Sequence, residues 1–198
     1  LFIMIITISG TPGSGKSTIA QILVEKMQAE RIYVGGIRRD LAKKKGMTLT
    51  ELNEYAKTHP ETDVDVDEKA AALARKMEEN QPVVIVEGRT QFHFLPESIK
   101  IFITVDVDEA ARRIWNELQH QGLQQQRNEG SIGSLAEMKE SIVERFENDQ
   151  GRYKKYYNLD ITNPIHYDLI IDTTSITAQQ AAQKIVDFVG RKKLINKS

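Results

Sequence analysis

The chain has 198 residues, of which 40% are hydrophobic and 28% are charged, a length and composition that suit one α/β domain (residues 1–198) rather than two. The net charge is −1, so we expect no general attraction to nucleic acid or to anionic membranes. The absence of cysteine excludes disulfides, thiolate catalysis and cysteine-based zinc sites. The apolar opening, residues 1–8, is too short to span a bilayer and has no basic segment before it, so we expect a cytoplasmic location.

Apolar runs and helical spacings alternate along the chain. In chain order they predict a strand at 2–8, a helix at 16–29, a strand at 32–34 ending at Gly35-Gly36, helices at 37–45, 49–59 and 63–80, a strand at 82–86, a strand at 99–105, a helix ending near 118, a helix at 135–157, a strand at 167–172, a helix at 177–189 and a frayed tail from 191. Residues 119–134 are Gln-rich with few apolar anchors, which predicts a mobile loop. Strands alternating with helices predict a parallel sheet covered on both faces.

The turn after the first strand has a specific motif. Residues 10–17 read GTPGSGKS and fit G-x-x-x-x-G-K-[ST] at every fixed position. Glycines let several backbone N–H groups point inward, and the following helix adds its N-terminal N–H groups and positive dipole end. We therefore predict an ATP site, with Lys16 on the β- and γ-phosphates and Ser17 on Mg²⁺. The predicted ATP-binding residues are Gly10, Thr11, Pro12, Gly13, Ser14, Gly15, Lys16, Ser17 and Thr18.

A second set of polar residues follows the third predicted strand. Ligands of doubly wound sheets lie beyond the carboxyl ends of strands, which is where Glu87, Gly88 and Arg89 fall. Glu87 is placed to hold Mg²⁺ through a water, and Arg89 to hold an acceptor phosphate with its planar fork. The alternative is a surface salt bridge.

The segment between the second and third predicted strands offers further candidates. Arg38 or Arg39 can join the acceptor phosphate, or belong to a solvated basic face. Asp63 and Asp67 are four residues apart and share a helical face, where carboxylates can accept hydrogen bonds from a base amino group or a ribose hydroxyl. Equally, acids at a helix start can simply satisfy the dipole.

Arginines also stand on the long predicted helix after the mobile loop. Arg145, Asp149 and Arg152 share one face of this helix. They can form an exposed ion-pair ladder, or the two arginines can belong to a lid and neutralise the migrating phosphoryl group. Arg112, Arg113 and Arg127 are weaker candidates for that task or for stacking on adenine.

Five segments together resemble the cytidylate kinase family in its short archaeal-type form, within the nucleoside monophosphate kinases. They read ITISGTPGSGKST, GGIRRDLAKKKGMTLTELNEYAKTHPETDVDVD, VVIVEGR, ERFENDQGRYKKYYNLDI and YDLIIDT, and the resemblance covers nearly the whole chain.

The resemblance implies a three-layer P-loop kinase fold with a five-stranded parallel sheet in the order 2-3-1-4-5. It implies a monophosphate-binding arm over residues 35–80 and a lid region over 112–152, with its mobile tip at 119–134. The implied reaction is transfer from Mg·ATP to CMP or dCMP in a monomer.

The resemblance also implies residue roles. Arg39 and Arg89 would bind the acceptor phosphate. Asp149 would contact the sugar, and Arg145 and Arg152 would act beside the transferring group. With Lys16 and Arg89, these two arginines complete the predicted catalytic set. Asp63, Asp67 and Gly88 would complete the acceptor site. Bacterial relatives have an aspartate where this chain has Thr90.

Other functions remain open at this stage. One is a kinase for UMP or AMP, and another is a hydroxyl kinase of the shikimate-kinase type, with Asp63 or Asp67 as its base. A non-enzymatic nucleotide switch is disfavoured, because no N-K-x-D guanine motif follows a late strand.

Overall fold

The computed structural model describes residues 4–119 and 132–195. The strands in these ranges are β1 Met4–Gly10, β2 Glu30–Tyr33, β3 Val83–Glu87, β4 Ile99–Thr104 and β5 Leu169–Asp172. The helices are α1 Lys16–Met27, α2 Val34–Lys44, α3 Leu49–Ala56, α4 Glu61–Glu78, α5 Gln91–Phe94, α6 Val107–Gln119, α7 Leu135–Tyr157 and α8 Ala178–Ile195, with a 3-10 turn at Pro164–His166. None of the helices in these ranges has the length and apolar character that a membrane crossing needs.

The sheet confirms the predicted topology. Its strands are parallel and follow the order β2-β3-β1-β4-β5. The chain runs from β1 out to β2, returns to β3 and then crosses to β4, so the winding direction reverses between β1 and β3. Ligand crevices open at such a point, beyond the carboxyl ends of the strands. Ile8 stands opposite Glu87 in the register, so the loops after β1 and β3 leave the sheet side by side.

Apolar layers cover both faces of the sheet. Every residue of β1 is buried, and successive residues face opposite sides. Ile6 and Ile8 pack in the cluster formed with α1 and α8, whereas Ile5 packs in the cluster formed with α4. Burial on both faces explains why the strands read as almost continuous apolar runs.

The long helix α7 packs against α6 through a third apolar cluster that includes Ile114 and Met138. The predicted mobile tip, residues 119–134, connects these two helices, and residues 120–131 of it lie outside the described part of the chain. Ser134 caps α7 by accepting a hydrogen bond from the backbone N–H of Glu137.

The differences from the prediction include the start of α2, the end of α8 and one short helix. Gly35 and Gly36 lie inside the first turn of α2, where a Cβ at either would lie 2.9 Å from the ring of Tyr33. The glycines therefore let that ring fold back over the start of the helix. The short helix α5 is not predicted by the sequence pattern. Helix α8 continues past residue 191, where Lys192 donates to Asp168 at 2.6 Å.

Candidate active site

The phosphate loop lies between β1 and α1. Gly13 has a φ of +72°, and a Cβ there would lie 2.7 Å from the Cβ of Ala110 in α6. Glycine fits between the loop and α6 where a side chain would force a shift. Helix α1 begins at Lys16, so its unsatisfied N–H groups and positive dipole end face the loop. The motif thus has the strand–loop–helix setting that a polyphosphate cradle requires.

Lys16 lies deep in this loop. Its Nζ donates to the carbonyl oxygens of Gly10 at 3.0 Å and Thr11 at 2.6 Å. Burial, and after it the positive charge of Arg89, lowers the pKa of Lys16 to about 7. Anionic oxygens of a ligand would restore the charged form, so this ammonium is placed to hold phosphate.

Ser17 and Glu87 meet beside the loop. The Ser17 hydroxyl donates to Glu87 Oε1 at 2.6 Å, and the other carboxylate oxygen of Glu87 pairs with Arg31. Mg²⁺ prefers oxygen ligands and is usually held by one or two protein groups together with water and phosphate oxygens. A hydroxyl and a buried carboxylate at the end of a phosphate loop fit that donor set.

A cavity of about 940 Å³ joins the phosphate loop to the region around α2 and α4. Its lining includes residues 12–19 and residues 87–90. The charged residues that line it are Lys16, Arg38, Arg39, Asp63, Asp67, Glu87, Arg89, Arg113, Glu117, Arg145 and Asp149. Among the charged residues of the predicted catalytic, acceptor and metal sets, Arg152 is the one that does not belong to the described lining.

Three arginines from the second and third strand regions line the cavity, and one of them reaches the phosphate loop. Arg89 Nε pairs with Asp149 at 2.8 Å, and its Nη1 donates to the Gly10 carbonyl at 3.3 Å. Arg39 Nη1 donates to the Tyr33 hydroxyl at 2.6 Å, with its guanidinium 5.4 Å from the centre of that ring. Arg38 also points inward, so the alternative of a solvated face does not apply to it. Three guanidinium groups in one cavity are able to bind an anionic ligand in addition to the one in the phosphate loop.

The two predicted acids are buried. Asp63 pairs with both Arg38 and Arg152. Asp67 instead accepts hydrogen bonds from neutral donors: Thr90 Oγ1 at 2.7 Å, Gln91 Nε2 at 2.9 Å and the Tyr157 hydroxyl at 3.0 Å.

Burial raises the pKa of Asp67 to about 6, against the lowering effect of the Thr90 hydrogen bond. Asp63 and Asp67 are therefore not merely acids that satisfy the helix dipole.

The three residues predicted on one face of α7 differ in their position relative to the cavity. Arg145 and Asp149 line the cavity, whereas Arg152 lies behind it and pairs with Asp63 at 2.9 Å and Asp149 at 2.7 Å. Burial alone would raise the pKa of Asp149, but the charges of Arg89 and Arg152 hold it below its ordinary value. The exposed ion-pair ladder is therefore wrong for this helix.

On the other side of the loop, Arg113 lines the cavity and donates through Nη2 to the Thr173 carbonyl at 2.6 Å. The Thr173 hydroxyl donates to the Ser14 carbonyl at 3.1 Å, which ties the end of β5 to the loop. Arg112 is exposed and pairs with Glu109, and Arg127 lies outside the described residues.

Sequence reasoning did not select Tyr33, Thr90 or Thr173 as site residues. Tyr33 ends β2, and Thr173 follows β5 directly. The rule that ligands lie at the carboxyl ends of strands, applied to every strand rather than to two, would have selected both. Thr90 also follows the carboxyl end of β3, next to Arg89, but its contact with Asp67 depends on how α4 packs beside β3 and could not be predicted from its position.

Comparison with known proteins agrees with this geometry. Residues 6–133 match a family model described as an AAA domain. A cytidylate kinase from Archaeoglobus fulgidus is 36% identical over 192 residues, which cover 96% of this chain and 97% of that protein. An S-adenosylmethionine-dependent nucleotide dehydratase from Lacinutrix mariniflava is 30% identical over 193 residues, which cover 97% of this chain and 37% of the dehydratase.

Among solved structures, shikimate kinase from Acinetobacter baumannii in complex with shikimate superposes with a TM-score of 0.56 at 16% identity. The match covers 97% of this chain and 96% of that one, and at this identity it shows the fold alone.

A phosphate loop that shares one cavity with a group of arginines is the arrangement of a P-loop kinase, which brings a phosphorylated donor and an acceptor together. Within that class, the chain belongs to the cytidylate kinase family. It is a nucleoside monophosphate kinase, and therefore a phosphotransferase.

Proposed function

We propose that this kinase transfers the γ-phosphoryl group of ATP to CMP or dCMP, to give ADP and the pyrimidine diphosphate. The observation that carries the proposal is that one cavity is lined both by the phosphate loop with Lys16 and by the arginines Arg38, Arg39 and Arg89. The archaeal relatives named cytidylate kinase, 32–36% identical over most of the chain, support the choice of acceptor.

On the donor side, the N–H groups of the phosphate loop and the Lys16 ammonium would hold the triphosphate. Ser17 would ligate Mg²⁺ directly, and Glu87 would hold it through a water. When bound, Mg²⁺ supplies charge neutralisation to the phosphates. Arg113 stands at the edge of the cavity next to the loop, where its guanidinium plane can stack on adenine.

On the acceptor side, Arg39 and Arg89 would hold the monophosphate, with Arg145 directed at the transferring group. An ionised phosphate oxygen is already nucleophilic, so the transfer needs no general base. Catalysis would come from alignment of the two phosphates and from neutralisation of the charge that spreads over the migrating group.

The base would be read at Asp67. This carboxylate lines the cavity and is fixed by Thr90, Gln91 and Tyr157. A carboxylate accepts a hydrogen bond from the amino group of cytosine, whereas the carbonyl oxygen that uracil has at that position would oppose it. One such mismatch at a buried polar group is worth roughly 10- to 100-fold in discrimination.

A coupled assay of ADP release tests the proposal. With Mg·ATP fixed, CMP, dCMP, UMP, AMP, GMP and shikimate are compared as acceptors. We expect kcat/KM for CMP and dCMP to exceed that of every other acceptor by at least about tenfold. Turnover of only UMP or AMP would show that the base assignment is wrong, and turnover of only shikimate would contradict a phosphate acceptor. ATP hydrolysis without transfer to any acceptor would instead indicate a nucleotide switch.

A further inference from the structure

Five charged side chains alternate in sign between the α2–α4 region and the end of β3. They are Arg38, Asp63, Arg152, Asp149 and Arg89. Arg38 pairs with Asp63, Asp63 Oδ2 lies 2.9 Å from Arg152 Nε, Arg152 Nη2 lies 2.7 Å from Asp149 Oδ1, and Asp149 Oδ2 lies 2.8 Å from Arg89 Nε. The chain of contacts thus connects two arginines that approach the cavity from different elements.

The arginine in the middle of this series of ion pairs is buried, whereas the two arginines at its ends are partly exposed to the cavity. Arg38 and Arg89 line the cavity, with 12% and 15% of their side chains exposed. The Arg152 side chain is 2% exposed, and each of its three guanidinium nitrogens is hydrogen-bonded within the protein. The third partner, beyond the two carboxylates, is the amide oxygen of Asn148. Arg152 therefore contacts the residues behind the cavity rather than a ligand in it.

Contacts on either side of Arg152 hold this part of α7 against α3 and the turn that follows it. The Tyr156 hydroxyl donates to the Ala56 carbonyl at 2.5 Å, and Lys155 Nζ donates to the Lys57 carbonyl at 2.8 Å. One turn earlier, the Asn148 amide donates to Glu54 at 2.9 Å. Because the backbone around Arg152 is tied down on both sides, its guanidinium sits at a fixed place between two buried carboxylates.

Both carboxylates depend on that guanidinium. Asp63 and Asp149 are 1% and 4% exposed, and buried carboxylates stay charged only when they are paired. Removal of Arg152 would take one of the paired guanidinium groups from each carboxylate, and would leave Asp63 with Arg38 and Asp149 with Arg89 among its neighbouring cations. Arg152 therefore contacts both of the carboxylates that pair with the two cavity arginines.

We propose that Arg152 is a positioning residue that acts through Asp63 and Asp149 to hold Arg38 and Arg89 at the acceptor phosphate, and that Arg38 is itself a ligand of that phosphate. This inference rests on the proposed function only in taking a nucleoside monophosphate as the second anion. It replaces the expectation that Arg152 acts on the transferring group as a catalytic residue.

Calorimetric binding and steady-state kinetics of Arg152→Met test the proposal. We expect the Kd for CMP to rise by about 30-fold or more, with the Kd for ATP unchanged within about threefold and kcat at saturating CMP far less affected than KM. Arg152→Lys keeps the charge but not the fork, so an intermediate effect is expected. Arg75→Met, at an exposed arginine paired with Glu97, is the matched control.

A double-variant cycle shows whether Arg152 acts through Asp63. Asp63→Asn alone should also raise the Kd for CMP, and Arg38→Gln should do so too. The combined Asp63→Asn, Arg152→Met protein should bind CMP no more than about threefold more weakly than the weaker of the two single variants. If Arg152→Met does not fold in a thermal melt, the same cycle is run with Arg152→Lys.

Three results would overturn the proposal. The first is a kcat reduced about 1000-fold with the Kd for CMP unchanged, which would place Arg152 on the transferring group. The second is full additivity in the cycle, and the third is a wild-type protein that binds no nucleoside monophosphate. Failure of the proposed function looks different, because wild-type protein would then bind CMP, show the cycle and yet transfer no phosphoryl group to it.

Discussion

Ser17 and Glu87 are 70 positions apart in sequence, yet the hydroxyl of one donates to the carboxylate of the other at 2.6 Å. The contact arises because β1 and β3 are neighbours in register, with Ile8 opposite Glu87. It brings together one residue from the phosphate loop and one from the acceptor side of the sheet. Under the proposed function, these two oxygen-bearing side chains would hold a divalent cation.

Glu87→Gln should therefore weaken the use of Mg²⁺. The amide keeps the size of the side chain and one acceptor but removes its negative charge, so we expect kcat to fall roughly 100-fold and the Mg²⁺ concentration for half-maximal activity to rise. Magnesium titrations of activity at fixed ATP measure both. Glu97→Gln, at an exposed glutamate, is the control and should stay within about twofold of wild type. Equal losses in the two variants would contradict the assignment.

Lys16→Met should separate activity from stability. Its ammonium is buried and its pKa is lowered to about 7, so the charge itself does not stabilise the fold. We expect a melting temperature no lower than that of wild type and a loss of kcat/KM of about 100-fold or more. Lys26→Met, at an exposed lysine of the same helix, should retain activity. Wild-type turnover in Lys16→Met would show that the loop is not the donor site.

Gly36→Ala should impair the acceptor site alone. A Cβ at this position would lie 2.9 Å from the Tyr33 ring, which is the ring that Arg39 contacts. Displacement of the ring should raise the KM for CMP by about tenfold while the Kd for ATP stays constant. Gly190→Ala, in α8 with open space around it, should be neutral or slightly stabilising. An unchanged KM in Gly36→Ala would remove Tyr33 from the acceptor site.

Acceptor binding should depend on pH through Asp67. Its pKa is raised to about 6 by burial, in the presence of Asp63, Arg38 and the Tyr157 hydroxyl. Below that pH the carboxyl is protonated and accepts less strongly, so the KM for CMP should rise as pH falls through about 6. Asp67→Asn should flatten this dependence, while Asp65→Asn, at an exposed acid of the same helix, should keep it.

The Asp67 carboxyl group should also make the free energy of unfolding depend on pH. Because its folded pKa lies above its ordinary value of 3.8, the stability that it contributes is present below about pH 4 and is lost as pH rises through about 6. Denaturant titrations between pH 4 and 7 should show a steeper decline in the free energy of unfolding for wild type than for Asp67→Asn. Parallel curves would mean that Asp67 ionises normally.

Much of the fold follows from the local pattern of the sequence. The buried strands, the helices between them and the phosphate loop are encoded by short-range features, namely apolar periodicity and a glycine motif of fixed spacing. The strand order came instead from the family resemblance, and the structure confirms it. The start of α2 was mispredicted because glycines usually end elements, whereas here they make room for Tyr33.

The functional residues divide in the same way. The sequence alone placed Lys16 and Ser17 in a phosphate loop, since every part of that site lies within one strand, one turn and one helix. It also placed Arg145, Asp149 and Arg152 on one helical face. Only the tertiary structure decided that Arg152 lies behind the cavity, because α4 brings Asp63 to it across 89 positions of the chain. The burial of Arg152 depends on packing between segments that are distant in sequence, so the spacing of residues along one helix does not predict it.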